Sequence, residues 1–440
     1  MQNKKIALIS LGCAKNLVNS EQMLCVLDDA GYTLCSDYSE ADAVIINTCG
    51  FIDSAKSEAI ENILEMSALK AAGQLQKIIV TGCLAERYAS EIRADLPEVD
   101  ALVGVGSYAE IAKVLDDAFA EIPADRFGDK NAPVDEIGRF LLSGPGWAYL
   151  KIAEGCDNRC AFCAIPEIRG RFRSRPMGNI IAEAAALAQS GVREVILIAQ
   201  DITRYGTDLG EGNLAALIRA LSDIDGIDWI RLHYLYPDEI DDELISEIAS
   251  NDKVANYLDI PIQHINSNIL RRMNRRGDGE HIRTLFKKLR AKIPNLILRT
   301  SLIVGLPGEG EAEFEELCEF LREYKIERAG VFPYSPEEGT PAADMPDRCD
   351  SDVAERRAAQ VMDLQAEIMD EHCAAMLGST LSVICEGEDG AYKTGRSYAE
   401  SPEIDGVIYF TGDVAPGTIT NVLITDIMDG ELIGETAQGE

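Results

Sequence analysis

Two groups of three cysteines dominate the chemistry open to this chain. Cys156, Cys160 and Cys163 form a compact CxxxCxxC within EGCDNRCAFCAIPEIRG. Cys13, Cys49 and Cys83 lie 36 and 34 residues apart, and each follows or ends an apolar run: KIALISLG, AVIINT and KIIVTG. Both groups stop one thiol short of a closed four-ligand site, and an incomplete ligand set leaves a metal position open for chemistry. The pattern points to two catalytic iron–sulfur clusters. In the compact triplet each thiolate would hold one iron of a 4Fe–4S cubane, leaving the fourth iron to a chelating ligand. The amino and carboxylate groups of S-adenosylmethionine (SAM) suit that position. An electron passed from the reduced cluster to the sulfonium would release a 5′-deoxyadenosyl radical, and cluster potentials extend to roughly −700 mV, low enough to drive this. Zinc would need a fourth ligand. None of His233, His264, His281 and His372 lies within a short loop of the triplet. The spread triplet is the weaker signal, because three strand-end cysteines also fit ordinary small buried residues. Their common position beside strand ends, next to a radical-type motif, favours ligands. Cys25, Cys35, Cys318, Cys349, Cys373 and Cys385 share no spacing and read as structural.

These residues need elements to hold them. Residues 1–120 alternate short apolar strands with helices expected at about 16–30, 54–72, 84–95 and 107–120, the pattern of an open parallel α/β sheet. The three spread cysteines then fall at the carboxyl edge of that sheet, where such folds bind ligands. Residues 121–146 carry Pro and Gly without periodicity and read as a linker. Over 147–371 six strand candidates follow: AYLKIA, EVILIAQ, DWIRLHYLY, YLDIPI, LILRTSLIVG and ERAGVFPYS. With helices between them they predict a partial (βα)6 barrel whose chemistry sits at the strand C-termini. CxxxCxxC follows the first of these strands. A charged helix is expected at about 350–377. The stretch 372–440 alternates in the β manner and reads as a small antiparallel β-barrel. The fold class expected is therefore α/β with a C-terminal β-barrel.

Composition narrows the partners. The 440 residues include 75 acidic and 41 basic ones, for a formal charge of −34. Such a surface repels phosphate backbones and favours basic partners. No apolar run reaches roughly 18 residues and no h-region opens the chain, so neither a membrane span nor a signal peptide is expected. Twelve cysteines in a large chain of this kind suggest reduced thiols and a cytoplasmic setting.

The stretches LGCAKNLVNSE, INTCGFI, VTGCLAER and GCDNRCAFCAIPEIRGRFRSR carry a resemblance to the radical-SAM methylthiotransferase family over nearly the full length. LIAQDITRYG, RLHYLYP, LDIPIQH and SPEIDG resemble its ribosomal branch, which methylthiolates the β-carbon of an aspartate in ribosomal protein S-twelve; sister branches modify tRNA adenosine. The resemblance implies an N-terminal cluster domain, a radical-SAM core and a C-terminal TRAM barrel. It implies two 4Fe–4S clusters, a SAM cluster on Cys156, Cys160 and Cys163 and an auxiliary cluster on Cys13, Cys49 and Cys83. SAM would be consumed twice, once to methylate a sulfur held at the auxiliary cluster and once to generate the radical. Phe162 would pack near the adenine, and Ile303 and Gly305 would present backbone to the adenosyl group. Where the wider superfamily often carries GGE, this chain has AQD, which makes Gln200 and Asp201 candidate SAM contacts. A low-potential electron donor and a sulfur donor are further implied partners.

Substrate class is argued from charge. Residues 379–440 hold 12 acidic residues against Lys393 and Arg396. This repels RNA and attracts a basic ribosomal protein, so direct nucleic-acid binding is not expected. Arginines cluster at Arg169, Arg171, Arg173 and Arg175 and at Arg271, Arg272, Arg275 and Arg276. They could touch a substrate carboxylate, SAM or RNA, but such loops more often form surface salt bridges. His264 could be catalytic but reads first as a structural hydrogen-bond donor. Two other readings stand: a tRNA methylthiotransferase with the same chemistry, and a two-cluster electron carrier or scaffold that does not cleave SAM.

Overall fold

The computed structural model describes residues 4–210 and 212–437; the outermost residues of the two expected terminal domains lie outside them. The chain folds into two compact units that interleave the sequence.

The first unit comprises the residues up to Leu142, Ala153–Arg175 and Ser335–Ala343. Its centre is a five-stranded sheet in which all strands run parallel. Lys5–Ser10 and Ala43–Thr48 pair in the middle, followed by Lys77–Gly82 and Ala101–Val103. AVIINT and KIIVTG are buried at every position, as parallel strands covered on both faces must be. The short edge strand Thr33–Leu34 was not foreseen. The helix expected at 84–95 is broken in two, Cys83–Arg87 and Ala89–Asp95, because Tyr88 leaves the helical region. Residues 121–142 contain no helix or strand, yet they are strapped down. Arg126 bonds Leu102 and Gly104 through its backbone, and Arg139 reaches the buried carboxylate of Glu21 at 3.0 Å.

The second unit comprises Ser143–Ile152, Pro176–Tyr334 and the residues from Asp344 onward. Six parallel strands follow one another in chain order: Trp147–Lys151, Glu194–Ile198, Trp229–Leu232, Val254–Asp259, Ile297–Val304 and Arg328–Pro333. This is the open (βα)6 arrangement expected. The helix Ser351–Met376 packs on the last strands and crosses the boundary expected at 371/372. Five strands beyond it close into a barrel around Val383, Cys385, Ile408, Phe410, Val422 and Ile424. One of its pairs, Ile408–Thr411 with Glu431–Thr436, is parallel, where an all-antiparallel barrel was expected.

The loop 397–405 ties this barrel to the six-stranded sheet through buried polar bonds. Arg231 donates to the carbonyl of Tyr398 at 2.7 Å, and Tyr257 Oη to Asp405 at 2.7 Å. Ser401 Oγ meets His233 Nε2 at 3.0 Å. Glu194, with no exposed surface, joins Arg231 at 2.6 Å and Arg396 at 2.8 Å.

Candidate functional site

Both cysteine groups belong to the first unit. Cys13 caps the helix Ala14–Asp29 just beyond the first strand. Cys49 follows the strand Ala43–Thr48, and Cys83 opens the helix after Lys77–Gly82. Two βαβ crossovers thus bring distant residues to one sheet edge. The approach is close: a Cβ on Gly12, whose φ is +89°, would lie 2.8 Å from the Cβ of Cys49. Only glycine fits that turn.

The thiols differ in setting. Cys13 has exposed surface, yet desolvation is the largest influence on it. Lys15, Arg169 and the backbone N–H groups of Asn16 and Lys15 outweigh that influence and hold its pKa below the ordinary thiol value. Burial pushes Cys49 up to about 12, with Cys83 adding to the effect. Burial also raises Cys83, against the pull of Arg169. Thiolates at Cys13, Cys49 and Cys83 would repel one another and call for positive charge, which a metal supplies on binding.

A buried polar web fixes these turns. Asn16 Nδ2 donates to the carbonyls of Leu11 at 3.0 Å and Thr48 at 2.9 Å, one beside each of two cysteine turns. Asn47 Nδ2 donates to Asn16 O and to Ser20 Oγ, both at 2.9 Å. Arg169, only 1% exposed, donates to Asn16 Oδ1, to Asn19 Oδ1 and to Cys83 Sγ at 3.3 Å, and pairs with Glu154 at 3.2 Å. Tyr108 is buried within electrostatic reach of Arg169 and Cys83. Its hydroxyl has no hydrogen-bond partner among the described residues. An orphaned donor there fits a site built around sulfur acceptors, since buried hydroxyls otherwise find partners.

The compact triplet occupies a loop held by backbone bonds. Cys156 N donates to the carbonyl of Gly170 at 3.1 Å, and Cys163 N to that of Cys160 at 3.0 Å. Asp157 accepts from the N–H of Phe172. Cys160 is buried, and Cys156 and Cys163 are half-buried. Phe162 is buried between two of them in sequence. Among the described residues no three His, Cys, Asp or Glu side chains gather tightly enough for a single metal ion. A cubane instead spreads its thiolates over separate irons. All twelve cysteines are free thiols.

The remaining candidates lie at strand C-termini of the second unit. Gln200 and Asp201 follow Glu194–Ile198, while Ile303 and Gly305 end Ile297–Val304, three strands along. Asp201 is buried and accepts from the backbone N–H and hydroxyl of Thr203, closing its own turn. The N–H of Ile303 is taken by Gln263 O at 2.8 Å and that of Gly305 by Glu309 Oε2 at 2.9 Å. Each can therefore offer close approach or a carbonyl, but its N–H is already engaged. Gly305 has φ of +79°, and a Cβ there would lie 2.5 Å from Ala354. His264 is structural in form: Nδ1 accepts from Asn266 N at 2.9 Å, which puts the proton on Nε2, facing Glu309 at 3.5 Å.

Family models match three stretches: "Uncharacterized protein family UPF0004" over residues 5–104, "Radical SAM superfamily" over 150–321 and "TRAM domain" over 377–436. A curated relative from Acetivibrio thermocellus, named ribosomal protein uS12 methylthiotransferase RimO, is 50% identical over 98% of this chain and 98% of its own. A second of that name, from an Anaeromyxobacter species, is 47% identical over 99% of this chain and 93% of its own. The chain belongs to the RimO family of radical-SAM methylthiotransferases. A solved structure of the radical SAM methyltransferase TsrM from Kitasatospora setae shares the fold, with a TM-score of 0.56 at 14% identity over 87% of this chain and 77% of that one.

For this RimO-family chain, sequence reasoning missed Asn16, Asn19, Tyr108 and Arg169. Arg169 and Arg175 were expected in surface salt bridges; both are buried, Arg175 against Glu136 at 3.1 Å. Of the second cluster, Arg271 and Arg272 are exposed, and Arg276 does pair at the surface with Asp238 and Glu239. The sequence carried no signal of that buried web: Asn16, Asn19 and Ser20 share one face of the helix after Cys13, and polar residues at that spacing ordinarily mark a solvated face.

Proposed function

We propose that this transferase places a methylthio group on the β-carbon of an aspartate in ribosomal protein uS12. Its near-full-length likeness to relatives named for that protein carries the reading. The acidic barrel supports it, because a basic protein is the partner such a field attracts. In sequence we read the chain as a cluster domain at 1–120, a linker at 121–146, a radical-SAM core at 147–371 and a TRAM barrel at 372–440.

Cys156, Cys160 and Cys163 would hold one 4Fe–4S cluster and Cys13, Cys49 and Cys83 the other, each with an iron open to an incoming ligand. Bound SAM would supply hydrogen-atom abstraction, which a methylene too weakly acidic for a side-chain base requires. The protein's part is placement. Gly12 lets the Cys13 and Cys49 turns close together. Asn16 locks the backbone beside both. Phe162, buried beside Cys163 in sequence, would pack near the adenine. Ile303 and Gly305 would offer backbone to the adenosyl group, and Gln200 and Asp201, at the end of a strand three along in the same sheet, would be further SAM contacts. The reaction further requires a low-potential electron donor and a sulfur donor. No helix among the described residues is long and apolar enough to cross a membrane, and we place the reaction in the cytoplasm with its substrate.

The test is mass spectrometry of uS12 from cells with and without the gene. A methylthio-sized increment on one aspartate, lost on deletion, is the expected result. An unchanged uS12 together with loss of a 2-methylthio nucleoside from tRNA would replace this reading with the tRNA one. Anaerobic incubation with SAM and reductant should yield 5′-deoxyadenosine; none would favour an electron carrier.

A further inference from the structure

We propose that Arg169 is a positioning residue of the auxiliary site: it orients Cys83 and supplies the fixed positive charge that compensates the three thiolates. The inference rests on Cys13, Cys49 and Cys83 holding a cluster. Arg169 ends the short helix Ile165–Arg169, six residues after Cys163, so the segment carrying the compact triplet also delivers the cation to the spread one. Its Nη2 lies 3.3 Å from Cys83 Sγ and bonds Asn16 Oδ1, the side chain that fixes the carbonyls of Leu11 and Thr48. Its Nη1 faces Glu154 at 3.2 Å and Asn19 at 3.3 Å. Every partner is buried, so the guanidinium has one orientation.

A buried arginine is costly unless its charge is answered. Glu154 answers it at 3.2 Å, and Cys83, 3.3 Å away, adds a further anion as a thiolate. Hydrogen bonds and positive charge at cluster sulfurs raise the reduction potential by easing addition of an electron. Lys15 also acts on Cys13, and Arg169 donates a side-chain hydrogen bond to Cys83. A planar fork can hold Cys83, Asn16 and Glu154 at once, whereas a lysine ammonium cannot reproduce that geometry.

The experiment uses the full chain with Cys156, Cys160 and Cys163 changed to Ala, so that the auxiliary cluster is read alone. Arg169→Gln and Arg169→Lys are added separately, and iron content, EPR spectrum and midpoint potential are measured anaerobically. Arg169→Gln should shift the potential to more negative values and change the EPR g-values. Arg169→Lys, keeping the charge but not the fork, should recover part of the potential and little of the g-value change. If Arg169→Gln binds no cluster, the lysine variant carries the test, and a potential equal to the parent's with unchanged g-values overturns the proposal. The same holds for an iron-loaded Arg169→Gln chain with the parent's potential and spectrum. A parent chain that binds no iron refutes instead the assignment of Cys13, Cys49 and Cys83.

Discussion

Glu194→Gln probes how the C-terminal barrel is fastened to the six-stranded sheet. Glu194 opens the second strand of that sheet, fully buried, and accepts from Arg231 at 2.6 Å and Arg396 at 2.8 Å. Arg231 continues to Tyr398 O, and Arg396 to Glu400 O and Glu386. Both arginines are at most 1% exposed. Removing the shared carboxylate leaves two guanidiniums facing each other without an anion between them. Breaking a buried pair from one side costs about 3–5 kcal/mol. At tenfold per roughly 1.4 kcal/mol, amide protection in Tyr392–Arg396 and Trp229–Leu232 should fall about 100- to 4,000-fold. Hydrogen exchange read by mass spectrometry measures this directly. The pH dependence gives a second reading. Burial raises the Glu194 pKa, but Arg231 and Arg396 outweigh burial and hold it below the usual carboxylate value. A depressed native pKa contributes stability above the unfolded value of about 4.3, and that stability is lost as pH falls through the native value. The difference between parent and variant should be full at neutral pH and close only in acid. Protection unchanged within threefold at neutral pH, or a difference that persists unaltered into acid, would refute the reasoning.

Other outcomes follow from the same contacts. Gly12→Ala forces a Cβ against Cys49 and a side chain onto a φ of +89°, so iron at the auxiliary site should be lost while SAM-dependent 5′-deoxyadenosine formation persists. Asn16→Ala removes an acceptor from buried Arg169 and donors from Leu11 and Thr48; an unmet buried group costs about 1–3 kcal/mol, and auxiliary cluster retention on dilution or chelation should fall before the fold does. Binding of uS12 should weaken as salt rises, and charge reversal of exposed Asp413, Asp426 and Asp429 on the barrel should weaken it further without altering iron content.

Residue type made the architecture legible. AVIINT and KIIVTG announce strands covered on both faces, and six apolar runs with intervening helices announce an open βα barrel. The cysteines were legible because a compact CxxxCxxC has few other uses and because each spread cysteine lies beside a strand end. What the sequence hid is tertiary in origin. Arg169 has the composition of a surface residue, and only its neighbours Asn16, Asn19, Glu154 and Cys83 make burial tolerable. Tyr88 interrupts a helix whose pattern is otherwise continuous. The parallel pairing of Ile408–Thr411 with Glu431–Thr436 depends on barrel closure, which alternation cannot report. The engagement of the Ile303 and Gly305 N–H groups depends on Gln263 and Glu309, and a strand-plus-glycine pattern says nothing of either.

Iron and acid-labile sulfide, counted after anaerobic reconstitution, test the central claim most directly. The parent chain should hold about eight irons, and about four should remain both in the Cys13, Cys49, Cys83 to Ala variant and in the Cys156, Cys160, Cys163 to Ala variant. A parent chain with all six thiols intact that saturates at one cluster's worth of iron would contradict it.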